Sequence, residues 1–194
     1  MRTLRFLLPL AATLSPLAAC SSGDITYGAY YDSLYRPGEV ALAAYQGEVP
    51  VRVLGNAFAV EEGRFRAAVV AAMQEKNAGP KLHFTEVEPP DRKYDYRVTV
   101  AFGAADLGYN DLCRPALPAP PAAADGVRAR AAFCIGTRLI SEISGRLLAA
   151  NGPDDPRFQR LIGQMMLELF PPYDPNHQDR DNAFEVGSLG GRRR

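Results

Sequence analysis

Few residues in this sequence have the type and spacing that do chemistry. Ser188 lies in Val186-Gly187-Ser188-Leu189-Gly190. A nucleophile elbow would present such a serine on a sharp strand-to-helix turn, but it needs glycine two residues before the serine, where this chain has Val186. Cys113 or Cys134 with His83 or His177 could pair a thiolate with a base. The four have no motif spacing, and disulfide bonding would remove the nucleophile. Glu86 and Glu88 at a strand end, with Asp106 and Asp111 in a long loop, are loose acid–base candidates. Nothing fixes their separation, and solvated surface acids are the simpler reading. Asp174, Asn176, Gln178 and Glu185 fall where a calcium loop places its oxygen ligands. Asp179 stands where that loop needs its sharp-turn glycine, and Asp181 where it is apolar, so a polar tail is the simpler reading. Two cysteines and two distant histidines have no zinc-ligand spacing. No catalytic residue, cofactor site or metal site is expected.

The strongest pattern is at the start of the chain. Arg2 and Arg5 form a short basic opening. Residues 6–14 are mostly apolar, interrupted by Pro9 and Thr13, and Leu17-Ala18-Ala19-Cys20 follows. This is the layout of a secretory signal peptide. The apolar run is too short for a membrane span, which needs about 20 apolar residues.

The four residues Leu17 to Cys20 resemble the bacterial lipobox, in which a large aliphatic residue stands three places before cysteine and small residues fill the gap. The resemblance covers the leader alone. It implies a diacylglycerol on the Cys20 thiol, cleavage between Ala19 and Cys20, and acylation of the new amine. Two or three chains anchor stably, each buried CH₂ contributing about 0.8 kcal/mol. Ser21 occupies the place where many Gram-negative lipoproteins carry an inner-membrane retention Asp. The expected address is therefore the outer membrane, facing the periplasm. The alternative is an ordinary secreted protein whose Cys20 is a disulfide partner. With Cys20 lipidated, Cys113 and Cys134 remain as an even pair in an oxidising compartment, and a disulfide between them is expected.

Composition narrows the partners. Lys+Arg and Asp+Glu are both 22, and loss of Arg2 and Arg5 would leave the mature chain near −2. No basic excess points to nucleic acid. The basic run Arg192-Arg193-Arg194 reads as a frayed tail. An apolar content of 47% with 23% charged residues fits a soluble body of one domain.

Residues 1–19 read as signal peptide, 20–48 as tether and tyrosine-rich arm, 49–170 as the periplasmic domain and 171–194 as a polar tail. The arm shows no clear period, and Gly28 and Pro37-Gly38 argue against a long helix there. Alternation predicts strands over 49–54, 81–87, 94–102 and 127–137. In the third, Tyr96, Val98, Val100 and Phe102 share a face. In the fourth, Val127, Ala129, Ala131, Phe133 and Ile135 oppose Arg128, Arg130 and Cys134. Helical spacing predicts helices from Glu61 to Asn77 and from Asp154 or Asp155 to about Pro171. Residues 139–149 suit strand or helix, with a hairpin on the preceding strand favoured. The Pro-rich stretch 103–126 would be pinned to the outer sheet face by a Cys113–Cys134 bond. The fold class is α+β, one mostly antiparallel sheet with two helices packed on one face.

Function follows location more than chemistry. An outer-membrane-anchored module that binds another envelope protein or assists assembly is the first expectation. A glycan-, peptide- or lipid-binding module is the second, with Tyr30, Tyr31, Tyr35 and Tyr109 as its candidate surface. A hydrolase with an unrecognised site is the third.

Overall fold

A computed structural model describes residues 24–90, 92–103, 107–121, 123 and 125–176. The leader, Cys20, Asp106 and the tail from His177 onward, with Ser188 and most of the calcium-like run, lie outside the described residues.

Alternation along the strands creates two cores. The central pair is β4 (Tyr96–Phe102) and β5 (Val127–Ile135). Tyr96, Val98, Val100, Phe102, Val127, Ala129, Ala131 and Phe133 belong to the large core. Ala101, Ala132 and Cys134 belong to a small second core on the opposite face, with Leu112, Cys113 and Leu139. β6 (Arg138–Leu147) forms a hairpin with β5, as favoured for the ambiguous stretch. β1 (Ile25–Tyr31) pairs antiparallel with β6. β2 (Glu48–Leu54) runs parallel to both β4 and the short β3 (His83–Thr85). The order across the sheet is β1-β6-β5-β4-β2-β3.

The fold is α+β, but the sheet is mixed rather than mostly antiparallel. The helix inserted after β2 forces the difference: strands joined through a helical crossover return parallel. Among the described residues there are also three α-helices rather than two, α1 (Pro37–Tyr45), α2 (Glu62–Met73) and α3 (Pro156–Leu169), with a 3₁₀ turn at Asp111–Cys113.

The stretch read as an arm is ordered structure, a strand and a helix. Pro37 stands in the first turn of α1, where a missing N–H costs nothing. α2 ends at Met73, earlier than expected. Its N-cap is Glu61, whose carboxylate accepts from the N–H groups of Gly63 and Arg64 at 2.8 and 2.7 Å. Those bonds hold the Glu61 carboxyl below its ordinary range. Asp155 caps α3 in the same way. α3 crosses β6 so closely that a Cβ on Gly145 would stand 2.6 Å from Met165 Sδ.

The long loop is fastened to the sheet. Cys113 and Cys134 form a disulfide with a Cα–Cα separation of 5.6 Å. Arg52 donates to the carbonyls of Leu112 and Pro115, both at 2.8 Å. Arg97 donates to those of Cys113 and Gly136, both at 2.6 Å, and Arg130 to that of Leu107. Asn110, at φ +70°, accepts from the Leu139 N–H at 2.9 Å.

Candidate binding site

The two margins of the sheet differ. β3 is three residues long, and the Gln74 amide covers it: Nε2 donates to the Phe84 carbonyl at 2.7 Å and Oε1 accepts from the Phe84 N–H at 3.1 Å. A side chain thus replaces a neighbouring strand. β1 has no such cover among the described residues. It runs seven residues with neither charge nor proline, and Ile25, Tyr27 and Tyr30 are 52%, 49% and 38% exposed. Among the described residues its protective device is a bulge between Tyr27 and Tyr30, where Gly28 takes φ +67°. Natural edges are ordinarily short, charged or covered.

β1 also borders a concavity on each face. On the helix side, a groove of about 960 Å³ lies among β1, α2 and α3. Small residues Ala68, Ala71 and Gly163 line it together with Ile25 and Leu167. Thr26 donates to the Glu168 carboxylate beside it. On the opposite face, Tyr27 joins Leu107, Arg128, Arg130, Glu142 and Ser144 around a cavity of about 320 Å³. Arg130 and Glu142 form an ion pair there.

The tyrosine candidates separate into surface and core. The Tyr30 and Tyr109 hydroxyls are hydrogen-bonded at 2.7 Å and their rings meet edge to face, 5.0 Å apart. That bond pushes Tyr109 up to about 12. The structure therefore joins the arm to the long loop through two exposed rings. Tyr31 is half-buried and donates to the Glu168 carbonyl at 2.5 Å. Burial pushes its phenol up to about 12, with Tyr173 and Glu168 adding to the shift. Tyr35 is not a surface residue: it is 0% exposed and donates to the Pro171 carbonyl at 2.7 Å. Its place just before α1 turns the ring inward, and burial raises its pKa well beyond the usual tyrosine range.

The acidic candidates come together only in part. Glu86 and Glu88 line one cavity of about 320 Å³ with Arg52 and Arg97. Glu86 also pairs with Arg66 at 3.3 Å, and Glu88 with Arg92. Asp111 accepts from the Gly108 N–H at 2.7 Å and so shapes its own turn. His83 is exposed on β3. Asp174 pairs with Arg36 at 2.7 Å and accepts from the Asn176 N–H at 3.0 Å. Among the described residues, no three His, Cys, Asp or Glu side chains gather in a way that could hold a metal ion. No helix among them is long and apolar enough to cross a membrane.

Sequence reasoning missed the groove and the Arg128–Glu142 cavity. Part of the second was visible, because alternation set Arg128 and Arg130 on the outer face. Glu142, Ser144 and Arg146 were not assignable while 139–149 could be helix. No protein-family model, curated protein or solved structure matches the chain.

Proposed function

We propose that this chain is a lipid-anchored lipoprotein of the cell envelope whose domain binds another envelope protein along β1. The observation that carries the proposal is the open edge of β1, an uncharged strand with exposed aromatic and aliphatic side chains. Unpaired strand N–H and C=O groups accept an extended segment of a partner, and flanking concavities take its alternate side chains. The groove beside Ile25 and the cavity beside Tyr27 are placed for that role. In this reading α2 and α3 cover one face of the sheet, and the pinned loop covers part of the other.

The anchor is Cys20, the address is the periplasmic face of the outer membrane, and the Cys113–Cys134 disulfide suits that compartment. β1 begins five residues after Cys20, which would hold the binding edge close to the membrane.

A photocrosslinking residue at position 27 in intact cells tests the binding edge. A discrete adduct is expected from position 27 and none from Tyr45, which is exposed on α1 away from the edge. Equal labelling from both positions, or none from either, would sink the proposal. Cys20→Ser is expected to release the chain from the membrane fraction, and retention there would remove the anchor.

A further inference from the structure

The open face carries an arginine pair that the fold does not use up. Arg128 on β5 and Arg146 on β6 are direct cross-strand neighbours. Like charges placed opposite each other destabilise a sheet. Their side chains are each 38% exposed and share a single carboxylate, Asp125, at 2.9 and 3.3 Å. Both Nε atoms are buried without an acceptor, although buried donors are ordinarily paired.

The neighbouring arginines are occupied differently. Arg130 is matched by Glu142 and spends a further N–H on the Leu107 carbonyl. Arg97 spends its guanidinium on Asp95 and two carbonyls. Among the described residues, Arg128 and Arg146 donate only to Asp125. Arg128 also lines the cavity with Tyr27 and Ser144. Among the described residues, setting Arg128, Arg130 and Arg146 against Asp125 and Glu142 leaves one positive charge unmatched.

We infer that Arg128, which lines this cavity, and its cross-strand neighbour Arg146 bind a singly charged oxyanion, a carboxylate or phosphodiester borne by a ligand seated there. The anion supplies the missing negative charge at the two partly exposed arginine side chains. Planar guanidinium forks suit both groups. The Tyr27 ring and the Ser144 hydroxyl border the same space and would contact the remainder of the ligand. The cavity is the one that flanks β1 in the proposed function, but the arginine pair would hold an anion there whether or not a partner strand joins the edge.

Thermal unfolding of the full chain with acetate, with dimethyl phosphate, and with vesicles of phosphatidylglycerol or phosphatidylcholine tests this. Acetate or dimethyl phosphate is expected to raise Tm beyond sodium chloride of equal ionic strength. Arg128→Gln and Arg146→Gln are each expected to weaken the apparent affinity about tenfold, the loss of a charge-assisted contact. Each variant is expected to be at least as stable as the parent without anion, because the like-charge pair is relieved. Asp125→Asn removes the competing carboxylate and is expected to tighten anion binding. Preferential binding to phosphatidylglycerol vesicles, lost in the double arginine variant, would identify a lipid headgroup as the source. A response to the small anions without that preference would identify a soluble ligand. No Tm shift beyond chloride, weaker binding by Asp125→Asn, or a marked loss of stability in either arginine variant would overturn the inference.

Discussion

Arg97 donates to the carbonyl oxygen of Cys113 at 2.6 Å and stands directly opposite Cys134 in the β4–β5 ladder. The loop is therefore held at one point twice, by a covalent bond and by a guanidinium. Replacing both cysteines with serine is expected to leave a folded chain with lower stability. A sequence separation of 21 corresponds to roughly 3 kcal/mol in the chain-entropy picture. Urea unfolding of the variant against the oxidised parent checks this, and equal midpoints would show that the arginines alone suffice.

Arg130 and Glu142 are both largely buried. Removing one partner of such a pair leaves an uncompensated charge and typically costs about 3–5 kcal/mol. Glu142→Ala is expected to approach that figure. The double variant Arg130→Met with Glu142→Leu is expected to cost much less than the two single changes added together. A double-mutant cycle by urea denaturation measures the coupling, and additivity would mean that the pair contributes nothing as a unit.

Much of this arrangement is legible in the sequence, and the rest is hidden for identifiable reasons. β4 and β5 alternate cleanly because one of their faces meets the large core and the other the loop. α3 announces itself through Asp155, Pro156 and a full apolar stripe. β1 does not alternate, because an edge strand with a bulge at Gly28 exposes most of both its faces. α1 is short and weakly sided, burying only Val40 and Ala43. The parallel pairing of β2 was implied by the strand-helix-strand order around α2, but the neighbours of β2 depend on contacts far apart in the chain. Tyr35 looks like its exposed neighbours because composition does not tell which side of a turn a ring takes.

At Gly145 helix and sheet approach each other closely. A Cβ there would meet Met165 Sδ at 2.6 Å and Leu161 Cδ1 at 3.1 Å. Gly145→Ala is expected to destabilise by about 1–3 kcal/mol through overpacking. Gly145→Ala combined with Met165→Ala should lose less than the separate costs combined. Thermal unfolding of the three variants decides it, and a neutral Gly145→Ala would show that α3 shifts freely.

Alkaline pH should unfold this protein through its tyrosines. A free phenol titrates near 10, whereas burial holds the Tyr31 proton to about 12. Tyr35 and Tyr96 are raised further, each chiefly by burial. Between those values the folded chain binds more protons than the unfolded one. Stability is thus complete below about pH 10 and falls as pH rises toward 12. Phenolate absorbance followed beside far-ultraviolet dichroism is expected to show some tyrosines titrating only with unfolding. Smooth titration of every tyrosine near 10 in a folded chain would contradict the burial described.

Tyr30→Phe isolates the contact between the edge strand and the loop. Without its hydroxyl partner, Tyr109 is expected to move down from about 12 toward the ordinary range. Tyr109→Phe is the matching control. Phenolate titration of both variants reads the change, and an unmoved Tyr109 would place the cause elsewhere.

The pairing of β1 with β6 sets an order of events. Ile25 sits opposite Arg146, so β1 waits for a partner made much later in the chain. β2, α2, β4 and β5 can assemble as they emerge from synthesis, because their partners lie closer together in sequence. β1 can be paired only after β6 is made. A chain built this way leaves β1 without its partner until β6 has arrived, which gives anything acting on that strand an interval set by the length of sequence between them.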